Sequence, residues 1–400
     1  MKLGVLKEEK VPADKRVPLT PKQCRLLLNT YPNLDIAVKS SDIRCFTDEM
    51  YRNEGIVIVD DLSDCDVLIG IKEVPKLSLI ANKIYFYFSH TIKEQPYNRD
   101  LLLKMIDLNI SMVDYEVLKN QKGKRLLGFG RYAGIVGAYN GFLTYGLKSG
   151  KYNLKPAYNC KGRVEMIGEM SKIKLSNEKI IVTGNGRVGG GILEIIKKAN
   201  VREVLKSEFL NNTFDEAVFV HLNTMDYNVR IDGSESNKSE FYKHPELYCS
   251  SFMDYAKQAD IFIAGHYYSS GSPYLFTRED AKHSDFNIKV VADVSCDIDG
   301  PVASTIRPST IEAPIYGYNP ISETEDSFLK EGNIAVMAVD NLPCELPKDA
   351  SEFFANELSE KILPSLIMCD DEKIIENATI CKNGDLTQNF EYLRNYVNGN

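Results

Sequence analysis

Short apolar runs alternate with amphipathic stretches from the first residues onward. Residues 3–6, 36–38, 67–71, 84–88 and 112–113 read as strands, while 21–29 and 99–107 space their apolar side chains as a helix does. Strand and helix in alternation predict a parallel sheet, because parallel neighbours need a crossover and a helix usually supplies it. A second series begins at 179–183 and continues through 202–205, 261–264, 289–292 and 333–338. Between the two, residues 133–147 place Gly134, Gly137 and Gly141 at helical spacing. That small-residue stripe suits close packing against another backbone, and the helix is expected to connect two domains. Residues 150–176 look polar and irregular apart from a helical piece at 164–170. The stretch 211–244, rich in Asn, Asp and Ser, is expected to be an insertion or a mobile surface segment. From Ser351 the chain is helical until Pro364, its last residues look frayed, and the helix is expected to return to the first domain.

The pattern predicts an α/β protein of two Rossmann-like domains with parallel sheets. Residues 1–132 plus 340–400 would form a substrate domain, and 133–339 a cofactor domain inserted between its two parts. Composition narrows the chemistry. At 400 residues the chain exceeds one ordinary domain, and its net charge of −8 argues against a nucleic-acid or anionic-membrane partner. Nine cysteines are scattered without C-x-x-C or a paired His–Cys spacing, so no metal site is expected and free thiols in a reducing cytoplasm are. The start, MKLGVLKEEK, is unlike a signal peptide, and no run approaches the ~18 apolar residues of a membrane span. A homo-oligomer is compatible with all of this.

Two of the strands break off into ionisable residues, Lys72-Glu73 after one and His90 with Lys93 after the other. Ligands of open parallel sheets bind beyond the carboxyl ends of the strands, so this pairing places two proton carriers where a substrate would sit. Further on, Gly184-Asn185-Gly186-Arg187-Val188-Gly189 fits G-x-G-x-x-G, with a strand before it and an amphipathic helix after it. Gly184 allows the tight turn, Gly186 lets the backbone approach a pyrophosphate, and Gly189 lets the helix pack on the strand. The helix N-terminus, with Arg187 and Val188 in its first turn, offers amides to the phosphates. A ribose-binding acid is expected ~20 residues on. There the sequence reads Lys206-Ser207-Glu208, so a Lys-Ser pair for a 2′-phosphate and a Glu for a hydroxyl compete. NAD and NADP both stay open, with a slight lean to NADP.

Several segments carry a family resemblance: residues 15–21 (KRVPLTP), Gly70-Ile71-Lys72-Glu73, residues 88–93 (FSHTIK), Tyr115-Glu116 and residues 128–134 (GFGRYAG). Residues 243–248 (KHPELY), 292–297 (ADVSCD) and 340–343 (DNLP) belong with them. Together they resemble the lysine-forming saccharopine dehydrogenases and the lysine-ketoglutarate reductase half of the bifunctional aminoadipate semialdehyde synthases, and more distantly alanine dehydrogenase. The resemblance implies a reversible, NAD(P)-dependent reductive condensation of lysine and 2-oxoglutarate to saccharopine. It makes Lys72 and His90 the acid-base pair, with Arg16 and Arg125 gripping substrate carboxylates through paired hydrogen bonds. Crowding by His90, Lys93 and Arg16 would lower the Lys72 pKa, while Glu73 and Glu116 would oppose that and hold the side chains in place. Asp297 and Asp340 would face the nicotinamide and the substrate, although strand-end capping is an equal alternative. Arg125 has a competing reading as an exposed turn residue. His221, His244, His266 and His283 are expected to be structural or exposed. Nothing corresponds to the second half of the bifunctional enzymes, so the reaction is expected to stop at saccharopine. Two rivals remain, an alanine or other amino-acid or opine-type dehydrogenase on the same scaffold and an inactive NAD(P)-sensing binding protein.

Overall fold

Apolar, β-branched and aromatic runs build two eight-stranded sheets, each within its own unit. In the computed structural model, which describes residues 1–399, unit 1 is Met1–Phe129 with Pro347–Asn400 and unit 2 is Gly130–Leu346. Unit 1 opens with β1 (Lys2–Val5), α1 (Pro21–Thr30), β2 (Asp35–Lys39), α2 (Asp48–Asn53), β3 (Val57–Val59), β4 (Val67–Ile69), β5 (Ile84–Tyr87), α3 (Pro96–Asp107) and β6 (Ser111–Asp114). The start of α1 is written in its sequence: Thr20 caps it through the Gln23 amide, and Pro21 takes the first helical position. Strands β4 and β5 pair in parallel, Val67 against Ile84 and Ile69 against Phe86. The ladder continues past their ends through Gly70 N–H to Phe86 O (2.9 Å) and Phe88 N–H to Ile71 O (3.0 Å).

Both faces of this sheet are covered, as in other parallel sheets. Val67, Ile69, Phe86 and Phe88 enter one apolar layer, and Leu68, Tyr85 and Tyr87 the other. This period-2 division is why the strands read as nearly continuous apolar runs.

Unit 2 begins with α4 (Gly130–Ser149), which starts before Ala133, and α5 (Arg163–Glu169). Then come β7 (Lys179–Thr183), α6 (Arg187–Lys198), β8 (Arg202–Glu203), β9 (Val218–Leu222), β10 (Asn228–Arg230), β11 (Tyr248–Ser250), β12 (Ile261–Ala264), β13 (Val290–Asp293), β14 (Ile315–Asn319), β15 (Thr324–Asp326) and β16 (Ile334–Met337). Its main sheet runs β15-β14-β16-β13-β12-β7-β9-β8, parallel from β16 to β8, with β14 and β15 antiparallel at one edge. Helices α4 and α6 pack backbone to backbone: a Cβ on Gly134 would lie 2.0 Å from Val188 O.

Two expectations are corrected. The stretch 211–244 is not merely an insertion, because β9 lies within it and pairs on both sides, with β7 and with β8. Its apolar run Val218-Phe219-Val220 is brief, interrupted by His221 and flanked by polar residues, so composition alone hid a central strand. Nor is the tail simply frayed after Pro364. The helix Pro347–Lys361 puts Phe354, Ala355 and Leu358 into the unit 1 core. Beyond it, β17 (Thr379–Lys382) and β18 (Asp385–Leu386) form a hairpin whose first strand runs antiparallel to β6. The finished sheet reads β18-β17-β6-β5-β4-β1-β2-β3. Among the described residues no helix is long and apolar enough to cross a membrane.

Candidate active site

Lys72 follows β4 by three residues, and its surroundings come from the loop after β1. The Glu8 carboxylate accepts the Ile71 amide at 2.6 Å and the Lys72 amide at 2.9 Å. Six residues later, Asp14 receives the Arg16 guanidinium through Nε (3.0 Å) and Nη2 (2.6 Å), and the Arg16 amide as well (3.0 Å). Both members of that pair are buried, and the Phe129 ring centroid lies 4.2 Å from the guanidinium carbon. Lys72 is thus half-buried beside fixed charges. Burial, then Arg16 and Lys10, lower its pKa, with Asp14 and Glu73 opposing. The expected depression is present, but Lys10 takes the part expected of Lys93 and His90. Lys10 in turn pairs with Glu73 at 2.9 Å.

His90 is set by the neighbouring strand ends. It adopts φ +56°, a left-handed conformation uncommon for a residue with a Cβ, and it therefore needs support from its surroundings. Asp114, at the end of β6, supplies it. One carboxylate oxygen accepts both the amide and the hydroxyl of Ser89, and the other accepts the Glu116 amide at 2.6 Å. One fully buried carboxyl therefore ties the residue before His90 to its acidic partner. Burial pushes the Asp114 pKa up. The imidazole lies 3.3 Å from Glu116 through Nδ1 and 3.9 Å from Glu73 through Nε2, and it stacks on Phe88. Glu116 also meets Lys93 at 3.5 Å and Arg125 at 4.0 Å. Its burial works against ionisation, but the His90 hydrogen bond and the Lys93 and Arg125 charges outweigh that and bring its pKa to about 2. Arg125 is anchored by Nε to Leu127 O at 2.9 Å, with its guanidinium 5.6 Å from the Phe88 ring centroid.

Unit 1 therefore gathers Arg16, Lys72, Glu73, His90, Lys93, Glu116 and Arg125 around the ends of β4, β5 and β6. Glu73 links the halves, touching His90 on one side and acting on Lys72 on the other. Two proton carriers, flanked by cations that suit carboxylates, form an arrangement for acid-base work on an anionic substrate. Sequence reading missed Glu8, Asp14 and Asp114. An acid at 8 or 14 carries no local signal, since its partners lie on another strand or are recognised only by burial. Asp114 had one signal: it closes an apolar run beside Tyr115-Glu116.

In unit 2 the glycine turn has the shape a dinucleotide needs. Gly184 has φ +102°, and a Cβ there would lie 2.1 Å from Gly265 O; a Cβ on Gly189 would lie 1.8 Å from Gly184 O. At Gly186 nothing approaches within 4 Å, so the backbone is open. No side chain caps α6, so its first-turn amides have no side-chain acceptor. These features fit a pyrophosphate, with Arg187 and Val188 in the first turn of α6.

The ribose end differs from expectation. Strand β9, not the 202–205 segment, is the neighbour of β7, so the strand end beside the glycine turn is that of β9, where Asn223 and the acid Asp226 lie. Lys206 reaches that position from the helix Lys206–Asn211, bonding to Asp226. Asp226 also accepts the Asn223 amide at 2.7 Å, and Asn223 bonds Asn185 of the glycine turn. Ser207 is exposed, with its carbonyl taking the Asn211 amide side chain at 2.8 Å. Glu208 accepts the Leu205 amide at 2.9 Å and so caps its own helix. His221 bonds Gly184 O at 2.9 Å. His266 follows β12, bonds Thr183 at 3.0 Å, and is held neutral by burial, its pKa about 4. Asp297 and Asp340 lie beyond the ends of β13 and β16 and both act on the Cys296 thiol, which burial has already pushed to about 12. Burial and Asp293 raise the Asp297 pKa, and Asp340 is exposed. Among the described residues no cluster of His, Cys, Asp and Glu is arranged to hold a metal ion.

Residues 4–136 match the family model described as the N-terminal domain of alanine dehydrogenase/PNT. Along the whole chain, the alpha-aminoadipic semialdehyde synthase of Mus musculus is 26% identical over 97% of this chain and 47% of its own length. The Candida glabrata saccharopine dehydrogenase [NAD(+), L-lysine-forming] is 28% identical over 90% of both chains. The chain thus spans about half the length of the semialdehyde synthases it matches and nearly all of the saccharopine dehydrogenase. Among solved structures, an L-alanine dehydrogenase superposes with a TM-score of 0.66 at 16% identity, covering 99% of this chain and 100% of the other. A transhydrogenase from Sinorhizobium meliloti gives 0.55 at 12%, over 97% and 99%. These two likenesses concern the fold.

Proposed function

We propose that the protein is an NAD(P)-dependent oxidoreductase that joins lysine and 2-oxoglutarate reductively to give saccharopine, and that it runs this reaction in both directions. The observation that carries the reading is the pairing of Lys72 and His90 at adjacent strand ends, linked through Glu73 and flanked by Arg16, Lys93 and Arg125. Likeness to the L-lysine-forming saccharopine dehydrogenases supports the choice of substrates.

Condensing an amine with a keto acid moves protons three times: from the ammonium of lysine, to the departing hydroxyl, and at the nitrogen that carries the new bond. Lys72, its pKa lowered by burial, Arg16 and Lys10, is suited to take the first proton. His90, between two carboxylates, is suited to hand one to the hydroxyl as water leaves. Glu116 stays ionised through the neutral range and holds the imidazole through Nδ1, while Glu73 lies 3.9 Å from Nε2. Arg125 and Lys93, both partly exposed, suit the carboxylates of the two substrates, whereas Arg16 is buried and paired with Asp14. The reduced nicotinamide, when bound, supplies the hydride that converts the imine carbon into the secondary amine of saccharopine.

The dinucleotide would lie along the 184–189 turn. Asp226 would then accept a ribose hydroxyl, whereas Lys206 would hold a 2′-phosphate, so these two residues decide between NADH and NADPH. Unpaired cysteines throughout the described residues suit a reducing, cytoplasmic setting. The test is oxidation of NADH and of NADPH by the purified chain. It should require lysine and 2-oxoglutarate together and yield saccharopine by mass spectrometry. Turnover with pyruvate and ammonia alone rejects the substrates, and dinucleotide binding without turnover of any amine and keto-acid pair rejects the enzyme.

A further inference from the structure

We propose that Glu8 is a positioning residue: its buried carboxylate clamps the amides of Ile71 and Lys72 and thereby fixes the direction in which the Lys72 amine points. The inference rests on the reading of Lys72 as a proton carrier. It adds a residue that touches neither substrate nor cofactor.

The geometry is specific. Each carboxylate oxygen takes one amide, Oε1 from Ile71 and Oε2 from Lys72, at the place where the chain leaves β4 and the ladder with β5 ends. Two consecutive amides leaving a sheet would otherwise need water, and Glu8 is only 7% exposed. Gly70 leaves room for the carboxylate, since a Cβ there would lie 3.3 Å from Oε1 and 3.2 Å from Leu6 Cδ1. The segment bearing Glu8 is itself tied to β4, Leu6 N–H to Ile69 O at 2.8 Å. A swing at residues 71–72 would carry the long Lys72 side chain with it, and small misplacements of an acid-base group are costly to rate.

The clamp is also open to titration. Asp14 and Arg16 face Glu8 from its own loop, Lys72 from the end of β4, and the buried Tyr115 hydroxyl from beyond β6. Burial and Asp14 raise the Glu8 pKa to about 7, against the two amide bonds and Arg16. A proton on the carboxyl removes an acceptor from one of the amides. The clamp is therefore complete above that pH and weakened below it.

Glu8→Gln keeps the volume, offers one acceptor and does not titrate. Its kcat should fall about tenfold or more while the dinucleotide KM moves less than about twofold, and the limb of the kcat profile near neutrality should vanish. Independently of turnover, NMR titration of ¹³C-methylated Lys72, assigned by Lys72→Arg, should move in Glu8→Gln and stay in place in Glu9→Gln. Should Glu8→Gln not fold, Gly70→Ala crowds the same carboxylate without removing it and should shift Lys72 and kcat in the same direction. Unchanged Lys72 titration and an unchanged kcat profile in the folded variants would overturn the proposal. A wild-type chain that does not couple lysine to 2-oxoglutarate, while Lys72 still responds to residue 8, rejects the proposed reaction and keeps the clamp.

Discussion

Lys72 and His90 owe their settings to different kinds of neighbour, and the difference can be measured. Lys72 is governed by burial and by cations from the loop after β1, whereas His90 is governed by carboxylates from β6 and from its own neighbour strand. Lys72→Met removes a proton carrier of similar length, and kcat in the lysine-dependent assay should fall by about 10²–10⁴-fold. Asp14→Asn leaves the Arg16 guanidinium buried without its counter-charge. Urea denaturation should show a loss of about 3–5 kcal/mol, the usual cost of breaking a buried pair from one side. The sign of the pH effect at Glu116 is fixed by its low folded pKa of about 2 against 4.5 for the free carboxyl. Its ionised form stabilises the fold above pH 4.5, and that contribution is lost as pH falls through 2. Glu116→Gln should therefore lower stability at neutral pH, and the gap to the wild-type protein should close in acid denaturation curves below pH 4.5. His90, Lys72 and their partners drew attention as charged ends of apolar runs; Glu8 and Asp14 did not, because the partners of Glu8 come from the end of another strand and the Asp14–Arg16 pair, two residues apart, is distinguished from a surface pair only by its burial.

At the scale of elements, the glycines carry the sharpest consequences. Gly189→Ala would drive a Cβ into Gly184 O, 1.8 Å away. The turn must open, and dinucleotide binding followed by fluorescence should be lost even where circular dichroism shows the fold retained. Gly134→Ala pushes α4 off α6, where the Val188 carbonyl lies 2.0 Å from the added atom. Overpacking of this kind should cost about 1–3 kcal/mol by thermal unfolding. The helix stripe at 134–141 was readable because 3.6-residue spacing is a local property. Strand β9 was not, since five residues with a histidine among them carry too little pattern against their polar flanks, and pairing with β8 on one side and with the more distant β7 on the other gives the segment its conformation. The same holds for β17, which exists because β6 presents an open edge.

For the whole molecule, the decisive fact is that unit 1 is made from two separated stretches of chain, Met1–Phe129 and Pro347–Asn400. Ending the chain at 346 would remove Phe354, Ala355 and Leu358 from the unit 1 core and β17 from its sheet. Such a truncation should lose the unit 1 melting transition in calorimetry, while residues 130–346 expressed alone should still fold and bind the dinucleotide. Alternation of apolar runs with amphipathic stretches determined the class of fold, the parallel body of the two sheets and the glycine turn, because each follows from spacings within a few tens of residues, whereas the antiparallel edge strands of both sheets were not foreseen. The ends of the strands that carry Lys72 and His90 were equally local. Tertiary structure alone decided which strand lies beside β7, which cations act on Lys72, and which buried carboxyls hold the two proton carriers. Those outcomes depend on pairing between distant segments and on burial, and neither quantity exists until the chain has folded.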